Sequence, residues 1–223
     1  MGFESLSKEV AGFIFGLTFE KLPQEVVERA KSLILDALSV AIAGYDSKHT
    51  KSALGLVKNN RGNGTVFLRG LSVPVMDAAF VNSVSTTSIG QDDWASTFWA
   101  HPGSVVIPAA LAMGEEEGST GAEVIVAVVI GYEIMGRIFL GASSSIEPRF
   151  RSTTVIGPFG AAAAAGKLLR LGEEQLADAL GYAANFSSGF RECFITGFME
   201  RKFNDAMASR NGVIVAGPPT GSG

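Results

Sequence analysis

Apolar residues recur at helical spacing along most of the chain. In residues 23–44 they stand three or four positions apart, as in Val26, Ala30 and Leu33. This spacing is typical of a helix that buries one face. Gly44 can adopt the left-handed conformation that often ends a helix, without strain. Residues 23–44 are therefore predicted to form a long helix.

The same spacing, interrupted by turn residues, predicts further helices over residues 5–19, 50–58, 74–84, 104–114, 157–171, 173–186 and 204–215. Residues 121–140 contain a β-branched run that favours a strand, but their length and the Glu133–Arg137 pair favour a helix. A short strand is predicted at residues 65–68 only. Eight or nine helices and almost no strand predict one all-α, bundle-like domain over residues 1–216, with 217–223 as a flexible tail or a cloning remnant.

The amino-acid composition excludes some classes of protein. Hydrophobic residues make up 47% of the 223 residues and charged residues 18%, which is too apolar for a disordered chain. The net charge of −4 gives no electrostatic case for nucleic-acid binding. A mean hydropathy of +0.27 is high for a chain that covers its own surface, and it indicates an apolar surface that contacts a partner.

The single cysteine, Cys193, cannot form an internal disulfide and is expected to be buried and inert, so a cytoplasmic location is predicted. The most apolar stretch, residues 123–142, is interrupted by Glu133 and Arg137, which is too polar for a membrane span. Two histidines and one cysteine cannot form a structural zinc site without carboxylate ligands, and no metal site is predicted.

Residues 92–104 contain the highest density of side chains that could take part in catalysis. Asp92 and Asp93 precede His101 there, and Ser104 stands where it would cap a following helix. A histidine beside carboxylates at a helix N-terminus can exchange protons with an anionic substrate. The alternative is that the aspartates shape the loop and His101 is a packed, hydrogen-bonded side chain.

Two further polar clusters, residues 147–154 and 200–205, precede predicted helices. Arg151 in the first offers a guanidinium that suits carboxylates. The alternatives are a basic surface loop for the first cluster and a solvated charge run for the second. The remaining histidine, His49, follows Lys48 in a polar stretch and is predicted to lie on the surface.

Taken together and in this order, these clusters resemble the MmgE/PrpD family, which includes 2-methylcitrate dehydratases and cis-aconitate decarboxylases. The resemblance runs from about residue 6 to residue 216. The matching stretches are Ala43-Gly44, Asp92-Asp93, His101-Pro102-Gly103-Ser104, residues 108–112, Gly131-Tyr132-Glu133, Phe150-Arg151-Ser152-Thr153, residues 157–165 and residues 207–212.

The resemblance implies a helical domain that dimerises, with a lid formed by a later part of the chain; the lid is expected to be missing here. It implies a lyase that acts on a small di- or tricarboxylate without metal or organic cofactor. Asp92, Asp93, Thr97 and His101 would line the pocket. Arg151 stands where many members carry a histidine, and Arg201 where many carry a lysine.

The predicted function is a dehydratase, or a related enzyme that moves a proton next to a carboxylate. Asp93 and His101 are the predicted catalytic residues. The predicted substrate-binding residues are Asp92, Thr97, Ser104, Arg151, Arg201 and Lys202. The alternative is a non-catalytic, truncated or degenerate helical domain that dimerises and binds an anion.

Overall fold

The computed structural model describes residues 6–146, 149–197 and 200–217, which are mostly helical. In chain order the helices are α1 (Leu6–Gly16), α2 (Gln24–Gly44), α3 (Lys48–Val57), α4 (Val75–Thr87), α5 (Gly103–Glu116), α6 (Gly121–Ile146), α7 (Ser152–Leu168), α8 (Glu173–Asn185), α9 (Glu192–Thr196) and α10 (Glu200–Ala216). A 3₁₀ turn, Phe19–Lys21, follows α1, and strands β1 (Gly64–Val66) and β2 (Leu71–Val73) pair as an antiparallel hairpin. The all-α prediction is confirmed.

Several element boundaries differ from the prediction. Helix α7 begins at Ser152 rather than residue 157, so Pro158 lies inside it, and α6 continues to Ile146. The short elements β2 and α9 were not predicted, because three to five residues are too few to show a period. Residues 218–223, most of the predicted tail, lie outside the described residues.

Helix α7 lies at the centre of the fold and packs against α5, α6, α8 and α10. Its five consecutive alanines, residues 161–165, are all buried. The crossing with α6 requires glycine, since a Cβ on Gly160 would stand 2.8 Å from the carbonyl oxygen of Gly131. Small side chains therefore let the neighbouring helices approach α7 closely.

Helix α4 is unusual because it is buried all round despite its polar residues. Its buried residues run without a break from Asp77 to Thr87. Buried hydroxyls need hydrogen-bond partners, and Ser85, for example, donates to the carbonyl of Ala41 at 2.8 Å. The C-terminal end of α4 packs against α10. This brings α4 and α10 together where the loop of residues 88–102 begins.

Helix α6 is long and apolar enough to cross a bilayer by length and composition, yet more than half of its most apolar stretch is buried. Ile130, Ile134 and Met135 on its inner face belong to the core. A buried apolar helix is typical of the interior of a globular protein. Helix α6 is therefore weak evidence for a membrane protein. The absence of a membrane partner stays a prediction.

Candidate active site

The loop of residues 88–102 folds back on itself between α4 and α5. Ala95 and Ala100 form an isolated antiparallel bridge that closes its tip. Within that tip, Trp99 has a φ of 48°, a left-handed conformation that is strained for a bulky residue. The backbone N–H of His101 donates to Thr153 Oγ1 at 3.1 Å and so ties the loop to the first turn of α7.

Asp92 and His101 form the central pair of the site. Asp92 Oδ2 lies 3.2 Å from His101 Nδ1, and the Asp92 side chain is almost fully buried. Burial raises the pKa of Asp92, but its interaction with His101 and the charge of Lys202 outweigh burial and lower the pKa below its ordinary value. The Trp94 ring packs on the imidazole with 5.0 Å between ring centroids. The Asp92 carboxylate therefore lies where it can orient the imidazole ring.

Asp93 differs from Asp92 in its contacts. Its Oδ1 accepts the backbone N–H of Gly103 at 2.8 Å, and its Oδ2 accepts the hydroxyl of Tyr132 at 2.9 Å. Burial raises the pKa of Asp93 to about 6, against these two hydrogen bonds, which lower it. Both oxygens therefore hold the N-terminus of α5 and helix α6 in place, as a positioning residue does.

The prediction that Ser104 caps α5 is wrong. The helix begins at Gly103 with Pro102 in the capping position. The acceptor for the first helical N–H comes from Asp93, ten positions earlier, which local sequence does not reveal. Ser104 is fully buried, and its hydroxyl donates to the carbonyl of His101 at 2.9 Å.

Arg151 and Asp205 form a buried ion pair between the start of α7 and helix α10. Their side chains are 3% and 0% exposed. Thr87 at the end of α4 also donates its hydroxyl to Asp205, at 3.4 Å. The other terminal nitrogen of Arg151, Nη2, makes no hydrogen bond of standard geometry within the described chain, so it retains donor capacity.

Residues 200–205 do not form the solvated charge run offered as an alternative, because Lys202 and Asp205 are both buried. The sequence does carry a signal for this burial. Asp205 stands three residues after Lys202 and four before Ser209, which places all three on one face of a helix that also contains small alanines.

Lys202 is a second buried cation close to Arg151. Its ammonium group donates to the carbonyl of Thr87. Burial and the charge of Arg201 lower its pKa to about 8. With Arg151 and Arg201 it forms a cluster of cations that faces the two carboxylates Asp92 and Asp205, so positive charge is in excess.

A cavity of about 240 Å³ opens beside this cluster. It is lined by Trp94, Trp99, His101, Phe150, Arg151, Ser152, Thr153 and Arg191. The two tryptophans are half exposed at its rim. Three donors or proton carriers, His101, Arg151 and Arg191, therefore face a space that suits a small anion.

Of the predicted site residues, the structure places His101 and Arg151 on the cavity wall and Asp92 in contact with His101. Asp93, Thr97, Ser104, Arg201 and Lys202 do not line this cavity. Thr97 is exposed on the loop. Asp205 was missed as a partner of the site. Glu147 and Pro148 of the second predicted cluster lie outside the described residues.

Two smaller predictions, on His49 and Cys193, can be compared with the structure. His49 was expected on the surface but is half buried, and neither ring nitrogen has a hydrogen-bond partner among the described residues. Cys193 is buried, as predicted. In the part of the chain that the structure describes, no group of three or more His, Cys, Asp or Glu residues is arranged to hold a metal ion.

Comparison with known proteins adds to this geometry. The sequence model of the MmgE/PrpD N-terminal domain matches residues 8–217. The chain is 31% identical to the cis-aconitate decarboxylase of Mus musculus over 195 residues, covering 83% of this chain and 40% of that protein. It is 30% identical to the cis-aconitate decarboxylase of Aspergillus terreus over 220 residues, covering 94% and 44%. The chain thus spans less than half the length of these curated relatives.

Proposed function

The chain belongs to the MmgE/PrpD family, and from that membership and its site geometry we propose a cofactor-independent lyase that acts on a small di- or tricarboxylate. The observation that carries the proposal is the contact of Asp92 with His101 at a cavity whose wall includes arginines. The named relatives decarboxylate a tricarboxylate, cis-aconitate, which favours decarboxylation over dehydration as the reaction.

Both reactions require proton transfer at a carbon close to a carboxylate. In a decarboxylation, the C–C bond breaks, CO₂ leaves, and a proton joins the electron pair left on carbon. In a dehydration, a proton leaves carbon and hydroxide departs from the neighbouring carbon. Either step is faster when a positioned acid or base moves the proton and when cations stabilise the developing negative charge.

The geometry supports His101 as the group that moves the proton, with Asp92 as its partner. The imidazole faces the cavity, and the buried Asp92 carboxylate contacts its Nδ1 and so orients the ring. Asp93 supports this arrangement indirectly, because both of its oxygens already accept hydrogen bonds that fix the start of α5. Arg151, Arg201 and Lys202 supply positive charge for the substrate carboxylates.

The test is proton NMR of the protein, expressed from its complete reading frame, in D₂O with cis-aconitate, citrate and 2-methylcitrate in turn. We expect cis-aconitate to be converted into a product that carries deuterium on carbon, because the electron pair left when CO₂ departs takes up a proton from the solvent-exchanged site. Incorporation of deuterium without net conversion would still establish proton transfer. A folded protein that produces neither signal with any of the three compounds would contradict the lyase.

A non-catalytic anion-binding domain is the second candidate. The observation that favours it is that the cavity wall carries two arginines, Arg151 and Arg191, which suit carboxylates but are poor general acids or bases. The same NMR experiment separates the two candidates. Shifts of the His101 ring protons on adding cis-aconitate, without conversion or deuterium incorporation, would support the binding domain.

We also propose that two copies of the chain associate and that the protein is cytoplasmic. Leu35 and Ile42 on α2 are 66% and 54% exposed, and Leu56 on α3 is 70% exposed, which leaves apolar surface for a second copy. Sedimentation at micromolar concentration is expected to give a dimer, and a clean monomer would contradict it. The location rests on the single cysteine and is checked by cell fractionation.

A further inference from the structure

Tyr132 is the central residue of the Gly131-Tyr132-Glu133 stretch, which takes no part in the proposed reaction. Tyr132 lies on α6 and lines an apolar cavity between α6 and α2, together with Ala30 and Leu33 of α2. Its ring also packs against the main core of the fold. The packing of the helices therefore fixes the position of the Tyr132 hydroxyl.

The Tyr132 hydroxyl, Asp93 and the first residue of α5 meet at one point. Tyr132 donates to Asp93 Oδ2 at 2.9 Å, and Asp93 Oδ1 accepts the backbone N–H of Gly103 at 2.8 Å. A Cβ placed on Gly103 would stand 2.6 Å from Asp93 Oδ1 and 2.9 Å from the Tyr132 hydroxyl oxygen. The absence of a side chain at Gly103 is therefore what lets the three groups come together.

This contact closes the segment that carries the proposed proton carrier. Asp93 and Gly103 lie ten positions apart in the sequence, and the segment between them contains His101. Asp92, which contacts His101 Nδ1 at 3.2 Å, directly precedes Asp93. His101 itself stands two residues before Gly103. A fixed Asp93 therefore limits the movement of both members of the pair, the imidazole and its carboxylate.

We infer that Tyr132 is a positioning residue, whose hydroxyl holds Asp93 and through it the pair of Asp92 and His101. Tyr132 does not line the cavity beside His101, so it acts through Asp93 and not on the substrate. The effect of Tyr132 on turnover rests on the proposed function. Its effect on the position of the imidazole does not, and the two are measured separately.

The electrostatics of the pair agree with this role. Burial and the charge of Asp93 raise the pKa of Tyr132 well above its ordinary value, so the hydroxyl stays protonated and donates. Burial raises the pKa of Asp93 to about 6, and the hydrogen bond from Tyr132 lowers it. Removing the hydroxyl should therefore raise the pKa of Asp93 further. The other charged or titratable groups that act on the pair are Asp92 and His101 in the loop and Asp36 and Arg29 on α2.

The first test is the stability of Tyr132→Phe, which keeps the ring and its packing and removes the hydroxyl alone. A hydrogen bond to a charged carboxylate is stronger than one to a neutral carboxyl group. The free energy of unfolding that Tyr132→Phe loses should therefore be larger at about pH 8, where Asp93 is ionised, than at about pH 5, where it is mostly protonated. Urea unfolding at the two pH values measures the difference.

Two control variants show whether this pH dependence comes from Asp93. Tyr182 on α8 is 62% exposed, so Tyr182→Phe should lose little stability at either pH. Asp93→Asn keeps the size of the side chain and cannot ionise. In that background, Tyr132→Phe should cost the same at both pH values. A cost of Tyr132→Phe that does not change with pH, or that changes equally in the Asp93→Asn background, would overturn the inference.

The second test follows the imidazole directly. The ring-proton signals of His101, assigned by their loss in His101→Ala, are expected to shift in the NMR spectrum of Tyr132→Phe and to stay in place in Tyr182→Phe. Unchanged His101 signals in a folded Tyr132→Phe protein would overturn the inference, whatever the activity of the protein.

The third test is turnover of cis-aconitate by the protein expressed from its complete reading frame. Tyr132→Phe is expected to lower kcat by about 10–100-fold, the range for a small misplacement of a catalytic group, and to leave KM within about threefold. The fall of kcat/KM on the acid side should begin about one pH unit higher than in the wild type, because a more readily protonated Asp93 accepts the Gly103 N–H less well. Tyr182→Phe should change neither.

The outcomes separate this role from the proposed function. A pH-dependent loss of stability and shifted His101 signals in a protein without lyase activity would support the positioning role and refute the lyase. Lyase activity with the same kcat and the same pH profile in Tyr132→Phe and Tyr182→Phe would support the lyase and overturn the positioning role.

Discussion

An Asp205→Ala variant is expected to lose about 3–5 kcal/mol of its free energy of unfolding, which is the usual cost of removing one partner from a buried ion pair. Asp205 is fully buried, and so is its partner Arg151. Without the carboxylate, the guanidinium remains in the interior with no opposite charge at contact. A domain of this size has about 5–15 kcal/mol in total, so the loss is a large fraction of its stability. Urea unfolding followed by circular dichroism measures it without adding salt.

The matched control is an exposed ion pair in the same chain. Glu133 and Arg137 lie one turn apart on α6 with 3.1 Å between Oε2 and Nε, and both are about half exposed. Glu133→Ala should therefore cost no more than about 0.5 kcal/mol. Replacing both buried partners, as in Arg151→Met with Asp205→Leu, should restore part of the loss because no unpaired charge remains. Similar losses for Asp205→Ala and Glu133→Ala would show that burial is not what makes the pair important.

The helices with one buried face could be predicted from the sequence. Helix α2 occupies residues 24–44, where a helix over 23–44 was expected, because its apolar residues alternate with charged ones at a regular spacing. Helix α7 offers no such contrast, since it is buried on all sides by neighbouring helices. Its start was placed too late because the Arg151–Thr153 segment has a polar sequence and Pro158 is usual in a first turn. The tertiary environment decides where such a helix begins.

The residues of the candidate site also fall into two groups, those that the sequence could identify and those that depend on contacts far apart in the sequence. Asp92 and His101 could be singled out because they stand in one short segment with unusual chemistry. The role of Asp93 depends on Gly103 and Tyr132, and the latter is 39 residues away in sequence. Likewise, the sequence does not predict the ion pair between Arg151 and Asp205, because the two residues meet only where α10 packs against α7. Long-range pairs of this kind have no local signature in a single sequence.

His49 shows how a polar neighbourhood in sequence can mislead. It lies in the first turn of α3, next to Lys48 and two residues after Ser47, which caps the helix. The burial of its ring nitrogens lowers the pKa of His49, as do the charges of Lys48 and Lys202. The lowered pKa favours the neutral imidazole, although the residues next to His49 in the sequence are exposed or polar.

Replacing His101 with alanine is expected to slow lyase turnover and deuterium incorporation by about 10²–10⁴-fold, the range for loss of a general acid or base. Among the described residues that line the cavity, His101 is the one histidine, and histidine is the residue type that most often acts as a general acid or base. Asp92→Asn should also reduce the rate, because the imidazole loses the buried carboxylate that contacts its Nδ1. The rates are measured by NMR in D₂O with saturating cis-aconitate, so that they report the chemical step.

The chain offers its own control, since His49 is the other of its two histidines. His49 does not line the cavity and has no hydrogen bond to a described residue through either ring nitrogen. His49→Asn should therefore leave the rate within about threefold of wild type, far from the loss expected for a general acid or base. Citrate should still bind to His101→Ala, because Arg201 and Lys202 remain. If His101→Ala keeps more than a tenth of the wild-type rate while it binds citrate normally, the proton comes from another group, and Asp93, with its pKa of about 6, becomes the first to test.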